Sequence, residues 1–295
     1  MKLGNLRGVE KNMEKKILNR WIIVTLSIFI LSIFFRVIAN VGDLSNELRI
    51  ILRLESNLIC GASYIFLAVV LCKQNKFKLY DTFSLRFNEG IKKYLKGFLT
   101  GIAMMSGIVL IIFLTGNAVV EDISVQPIGI AAIPILLFIL TGWIVQSAGE
   151  EFLIRGIFMK FLSNKMNIFI AVGISSIVFG MLHLGNDNIN LVAFINLILY
   201  GVAMGLYVVK TNNLWGACGN HAAWNFFQGN VFGFQVSGID VQVGTIVDMK
   251  AVGNTSVNGG LFGPEAGIAC TVVLSIFIVV MLLSYFRNKQ IQKVE

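Results

Sequence analysis

IGIAAIPILLFILTGWIVQSAGEEFLIRG, residues 128–156, decides how the chain is read. Residues 128–149 form an apolar run. As a helix rising about 1.5 Å per residue, it is long enough to cross the roughly 30 Å hydrocarbon core of a bilayer. At its end stand Glu150, Glu151 and Arg155. Ionisable groups in hydrocarbon are costly, so a membrane helix carries them for a partner or a task. Glu151 and Arg155, at i and i+4, share a helical face and can pair. That pairing leaves Glu150 turned about 100° away.

Composition agrees with a membrane setting. The 295 residues are 56% hydrophobic and 14% charged, with a mean hydropathy of +0.78. A soluble domain carries about 25% charged residues. The expected fold is an all-α polytopic bundle of eight transmembrane helices, near residues 21–40, 56–72, 97–116, 128–149, 167–184, 189–209, 213–230 and 265–286. The 29 glycines suit close approach between membrane helices. The expected organisation is a basic cytoplasmic segment at 1–20, a single transmembrane domain at 21–286 and a cytoplasmic tail at 287–295. Residues 135–230 hold the functional core, and 231–263 form an external glycine-rich loop with a short hairpin. Residues 73–96 mix basic and aromatic residues and read as an interfacial segment.

Basic residues set the orientation. Nineteen of the 24 lie in 1–20, 73–96, 160–165, 210 and 287–295, against Arg49, Arg53 and Lys250 on the other side. The positive-inside bias therefore predicts cytoplasmic termini. The apolar run after residue 20 is too long for a signal core, so no cleaved signal is expected. The net charge of +8 favours anionic lipid headgroups and requires no nucleic-acid partner. Cys60, Cys72, Cys218 and Cys270 match neither a zinc pattern nor a disulfide framework and read as buried small hydrophobes.

Two further apolar stretches carry paired polar groups. VFGMLHLGND places Phe179 and His183 four apart, and GNHAAWNFFQGN places His221 and Asn225 four apart. His183 and His221 are the chain's only histidines. Residues 163–167 read as a turn between antiparallel helices. Glu150 and His183 lie 15 and 18 residues from Lys165, roughly 22–27 Å along those helices, hence at one level. His221 lies nine residues after Asn212, roughly 14 Å beyond the next turn. These depths predict a common site in the cytoplasmic half of the bilayer. A carboxylate beside an imidazole can hold and deprotonate water. A second imidazole and an amide can donate to a developing oxyanion. Together these serve amide hydrolysis.

Glu150-Glu151-x-x-x-Arg155, Phe179-x-x-x-His183 and His221-x-x-x-Asn225 resemble, in order and spacing, the CPBP (Abi) family of CAAX-type prenyl-protein endopeptidases and bacteriocin-processing or immunity proteins. HLGND, WNFFQG and GGLFGPEAG also resemble bacterial members. The resemblance implies a glutamate-type intramembrane endopeptidase in a bacterial cytoplasmic membrane, acting on a prenylated CAAX-type protein or a peptide or bacteriocin leader. It implies Glu150 as the base, assisted by His183, with His221 and Asn225 on the oxyanion. Glu151, Arg155 and Phe179 would structure the site. No cofactor is required by that mechanism. Zinc is the alternative, with Glu150, His183 and His221 as ligands, although no His-Glu-x-x-His is present. A non-catalytic immunity or scaffolding protein and a transporter also remain open. The oligomeric state is not legible.

Overall fold

The computed structural model describes residues 45–74, 87–121, 126–241 and 243–291, with single positions 27, 30, 31, 34 and 38 before them. Seven helices carry the architecture: α1 (Asn46–Gln74), α2 (Phe87–Leu114), α3 (Ile133–Glu151), α4 (Ile168–Met181), α5 (Leu191–Thr211), α6 (Trp215–Phe226) and α7 (Ile268–Ile291). Beyond Glu151, α3 runs on through a π-helical stretch, Phe152–Met159, and a last α-turn, Lys160–Ser163. Beyond Phe226, α6 likewise continues as a π-turn, Phe227–Val231.

Local sequence explains the boundaries. Pro134 sits in the first turn of α3, where its missing N–H costs nothing. Asn167 caps α4 by accepting from the Phe169 N–H at 2.9 Å, and Asn190 caps α5 from Ala193 at 2.9 Å. Asn212 ends α5 in the left-handed conformation at φ 45°, one of the few non-glycine residues that tolerates it.

Among the described residues, five helical segments are long and apolar enough to span a membrane: Leu54–Lys73, Glu89–Leu114, Gly129–Ser163, Leu191–Thr211 and Ile268–Arg287. They match five of the eight expected spans. The spans expected at 167–184 and 213–230 are helical but shorter. α4 has 14 residues, about 21 Å, and α6 has 12 before its π-turn. The segment 1–20, residues 75–86 of the 73–96 connection and, apart from the helical positions 27, 30, 31, 34 and 38, the span expected at 21–40 lie outside the described residues, while residues 87–96 open α2.

Helices meet where side chains are absent. A Cβ on Gly97 of α2 would collide with the Gly216 carbonyl of α6, and one on Gly101 with the Asn220 carbonyl. Gly61 of α1 and Gly149 of α3 face each other in the same manner. Both pairs run parallel, whereas α4 and α5 run antiparallel, with Gly180 on Ile198 and Gly205 on Val172. The buried core fills the space between α2, α5, α6 and α7, from Met105 and Ile108 to Met204 and Leu274.

The glycine-rich loop contains a short hairpin turn, in which Val236 and Ile239 exchange backbone hydrogen bonds at 2.9 Å. Its strand β2 (Met249–Ala251) pairs outside the loop, antiparallel with β1 (Ala118–Val120), from the connection after α2. Lys250 reaches Glu121 across this ribbon at 2.8 Å. Hydrogen bonding to Glu121 raises the Lys250 pKa above its ordinary value. All four cysteines are buried.

The alternating helix directions gather Lys73, Lys92, Lys93, Lys160, Lys165, Lys210 and Arg287 towards one end of the bundle. The β-ribbon and the 182–190 connection lie at the other. The positive-inside rule then assigns the ribbon to the outer face. A reporter fused after Lys250 is expected to be external and one at Glu295 cytoplasmic. An external reporter at Glu295 would overturn that orientation.

Candidate active site

Glu150 and Glu151 are adjacent on α3 and face different surroundings. The Glu151 side chain is wholly buried, and its Oε1 accepts from an Arg155 guanidinium nitrogen at 2.8 Å and meets His221 Nδ1 at 3.0 Å. Arg155 lies 4.4 Å above the Phe179 ring. One carboxylate oxygen therefore ties α3 to α6 and takes part in fixing the guanidinium against α4. Because a carboxylate accepts, His221 donates from Nδ1, leaving Nε2 towards Glu150. The Nε2-to-Oε2 distance is 4.0 Å, beyond a direct hydrogen bond and suited to an intervening oxygen.

Glu150 keeps 15% side-chain exposure. Its Oε1 accepts from Gln146 Nε2, and its buried Oε2 has no hydrogen-bond partner. Gln146 Oε1 accepts from Asn225 Nδ2 at 3.2 Å. Gln146 is thus the bridge between the glutamate and the asparagine. The sequence reading did not single it out, although its position one turn before Glu150 is the available signal.

His183 lies beyond the end of α4. Its Nδ1 stands 2.8 Å from the Phe179 carbonyl, so that nitrogen donates and Nε2 is left as acceptor. Among the described ion pairs, none joins His183 to Glu150. Aromatic packing sets the ring positions. Phe179 lies 4.8 Å from the His183 ring and 6.0 Å from that of His221, and Tyr200 lies 5.4 Å from His221.

Glu150, Phe179, His183, His221 and Asn225 all line one cavity of about 660 Å³. Glu151 and Arg155 stand behind this wall. The cavity is also lined by Ser56, Cys60 and Tyr64 of α1, by Trp143, and by the 185–187 and 236–241 segments. This is an enclosure of the size that takes a ligand or peptide segment.

Tyr200, against His221, is the tenth residue of the 21-residue α5, and Asn220 faces Gly101 near the middle of α2. The site is therefore at mid-bundle. From there the cavity extends away from the basic helix ends. The cause is the shortness of α4: its chain leaves the helix at mid-depth, and the 182–187 turn lines the cavity. Non-helical backbone at membrane depth is tolerated where it lines such a space.

Two of the three helices that carry the motifs, α3 and α6, widen into π-helix from Phe152 and from Phe227, the first stretch holding Arg155. Such bulges recur at functional sites because they shift side-chain register locally. Nothing in the sequence announced them.

Residues 132–227 match the family described as type II CAAX prenyl endopeptidase, Rce1-like. Over this third of the chain the sequence is similar to the Rce1-like type of the CPBP family. The matched segment begins at the start of α3 and ends just past Asn225, so every residue that forms the polar cluster falls inside it. No curated protein matches the chain. The match and the apolar helices indicate a multi-pass membrane protein whose core is similar to CAAX-type endopeptidases.

Zinc has no assembled site. Among the described residues, no group of three His, Cys, Asp or Glu side chains is placed to hold a metal ion. Glu150 and His221 are 4.0 Å apart through their nearest polar atoms, and His183 bonds elsewhere. The residues as placed do not fit the ligand set, and no step is routed through a metal.

Proposed function

We propose that the protein is an intramembrane endopeptidase in which Glu150 activates the attacking water. The observation that carries this reading is the Glu150 carboxylate, with one oxygen held by Gln146 and the other without a hydrogen-bond partner, 4.0 Å from His221 Nε2, in the wall of a cavity that His183 also lines. Water at Oε2 loses its proton to Glu150 as it attacks the scissile carbonyl, with His183 Nε2 as a second acceptor. The oxyanion forms near Asn225, whose amide has a second N–H beyond that given to Gln146. His221, held by Glu151, adds a donor at Nε2 when its ring carries two protons. Glu150 then returns its proton to the leaving amine, and the peptide bond is broken by addition of one water. The substrate of this reading is a membrane-associated peptide or protein segment, prenylated or not.

The test is cleavage of quenched-fluorescent peptides by the purified full chain. Asn225→Ala is expected to retain measurable turnover, slowed by about 10²–10³, the value of one oxyanion donor. The change should fall in kcat, because the donor acts in the transition state. Activity should also survive chelation, with no stoichiometric zinc by metal analysis. Loss of one equivalent of zinc together with activity would replace this mechanism by a metal-dependent one. Full turnover by Asn225→Ala would remove the oxyanion role.

A further inference from the structure

Asn225 needs its amide turned one way to serve an oxyanion, and an amide by itself has no preferred way round. We propose, resting on the peptidase reading of the site, that Gln146 is a positioning residue that fixes this orientation. It relays the acceptor character of the Glu150 carboxylate to the Asn225 amide.

Among the described residues, three side-chain hydrogen bonds join α3 to α6 and its π-turn, in antiparallel order. Trp143 Nε1 donates to Asn230 Oδ1 at 2.8 Å, Asn225 Nδ2 donates to Gln146 Oε1 at 3.2 Å, and His221 Nδ1 donates to Glu151 Oε1 at 3.0 Å. The outer two have a fixed direction, because an indole N–H only donates and a carboxylate only accepts. The middle one joins two primary amides, and either could be the donor. What decides it is the other contact of Gln146, with Glu150 one turn further along α3. A carboxylate oxygen accepts, so Gln146 turns Nε2 to Glu150 and is left with Oε1 towards Asn225. The Ser147 hydroxyl donates to the same Oε1 at 3.3 Å. Asn225 must then answer with Nδ2. Gln146 is 9% exposed and Asn225 5%, so little water competes for either amide.

The setting outlasts proton transfer. The water's proton goes to Oε2, the Glu150 oxygen without a partner, and Oε1 remains an acceptor for Gln146. An oxyanion donor works by being in place before the charge forms. An amide free to turn would present oxygen and nitrogen by turns and lose that advantage.

The experiment uses the purified full chain and quenched-fluorescent peptides, one farnesylated at a CAAX-type C-terminus and one plain. Gln146→Leu is expected to lower kcat about 10–100-fold, the worth of a hydrogen bond to a charged group, with KM within about threefold. In an Asn225→Ala background the same change should cost no more than about threefold, because the donor it positions is gone. Losses that multiply, a loss confined to KM, or lowered abundance with kcat per folded molecule unchanged each overturn the proposal. A second measurement needs no turnover. With isotope-labelled asparagine, the Asn225 side-chain amide gives an NMR signal assigned by its loss in Asn225→Ala. That signal is expected to move on Glu150→Gln and to stay in place on the same change in a Gln146→Leu background. A signal that ignores Glu150→Gln, or moves equally without Gln146, overturns the relay. If Gln146→Leu does not fold, Gln146→Met takes its place, and if neither folds, the response to Glu150→Gln alone decides. Should the wild type cut neither peptide, the peptidase reading falls and the amide signal still decides the relay. Cleavage with an Asn225 signal blind to Glu150 does the reverse.

Discussion

Glu150→Ala is expected to reduce peptide cleavage by about 10²–10⁴, the contribution of a positioned general base. Neutral water is a poor nucleophile towards an amide, and no other cavity carboxylate is placed to substitute. Glu265 is saturated by Trp224 and Ser237, and Asp187 and Asp240 stand at the rim. Glu150→Gln should be similarly impaired while retaining the partnership with Gln146 through its amide oxygen. Membrane abundance should stay near that of the wild type in both, because Glu150 is partly exposed and its removal strands no buried cation. Substrate KM should move little, since the group acts in the transition state. Purified Glu150→Ala cleaving at near wild-type rate would remove Glu150 as base and the mechanism with it.

The other large effect is on the folded protein itself. Glu151→Ala strands the Arg155 guanidinium, whose side chain is 1% exposed, and Arg155→Ala strands the Glu151 carboxylate at 0%. Breaking one partner of a buried pair costs about 3–5 kcal/mol. That is a large part of the roughly 5–15 kcal/mol that holds a domain folded. Both variants should therefore show lowered abundance in membranes and a lowered melting temperature in detergent. Glu151→Ala should in addition lose activity beyond its loss of protein, because His221 then has no acceptor to fix its ring. Equal losses of abundance for Glu150→Gln and Arg155→Ala would contradict the division between a reacting and a structural glutamate.

What the sequence determined is what one-dimensional pattern can carry. Hydrocarbon admits long apolar helices and few ionisable groups, so length and hydropathy alone identify the spanning segments Leu54–Lys73, Glu89–Leu114, Gly129–Ser163, Leu191–Thr211 and Ile268–Arg287. The same cost made Glu150, Glu151, Arg155, His183, His221 and Asn225 visible as candidates before any coordinate existed. The i,i+4 spacing identified the Glu151–Arg155 pair, since that contact lies within one helix.

Tertiary structure decided everything that depends on which helices meet and at what height. Spacing from the turns put Glu150, His183 and His221 at one level, and only the packing of the helices brings them to the wall of one cavity near the middle of the bundle, with α4 ending at Met181. Gln146 as bridge, His221 shared with Glu151, and Glu265 beneath the cavity rim are contacts across 79, 70 and 28 residues of sequence. No local periodicity encodes such pairs. The pairing of β2 with β1 is of the same kind, because an alternating strand specifies a face and leaves its partner open.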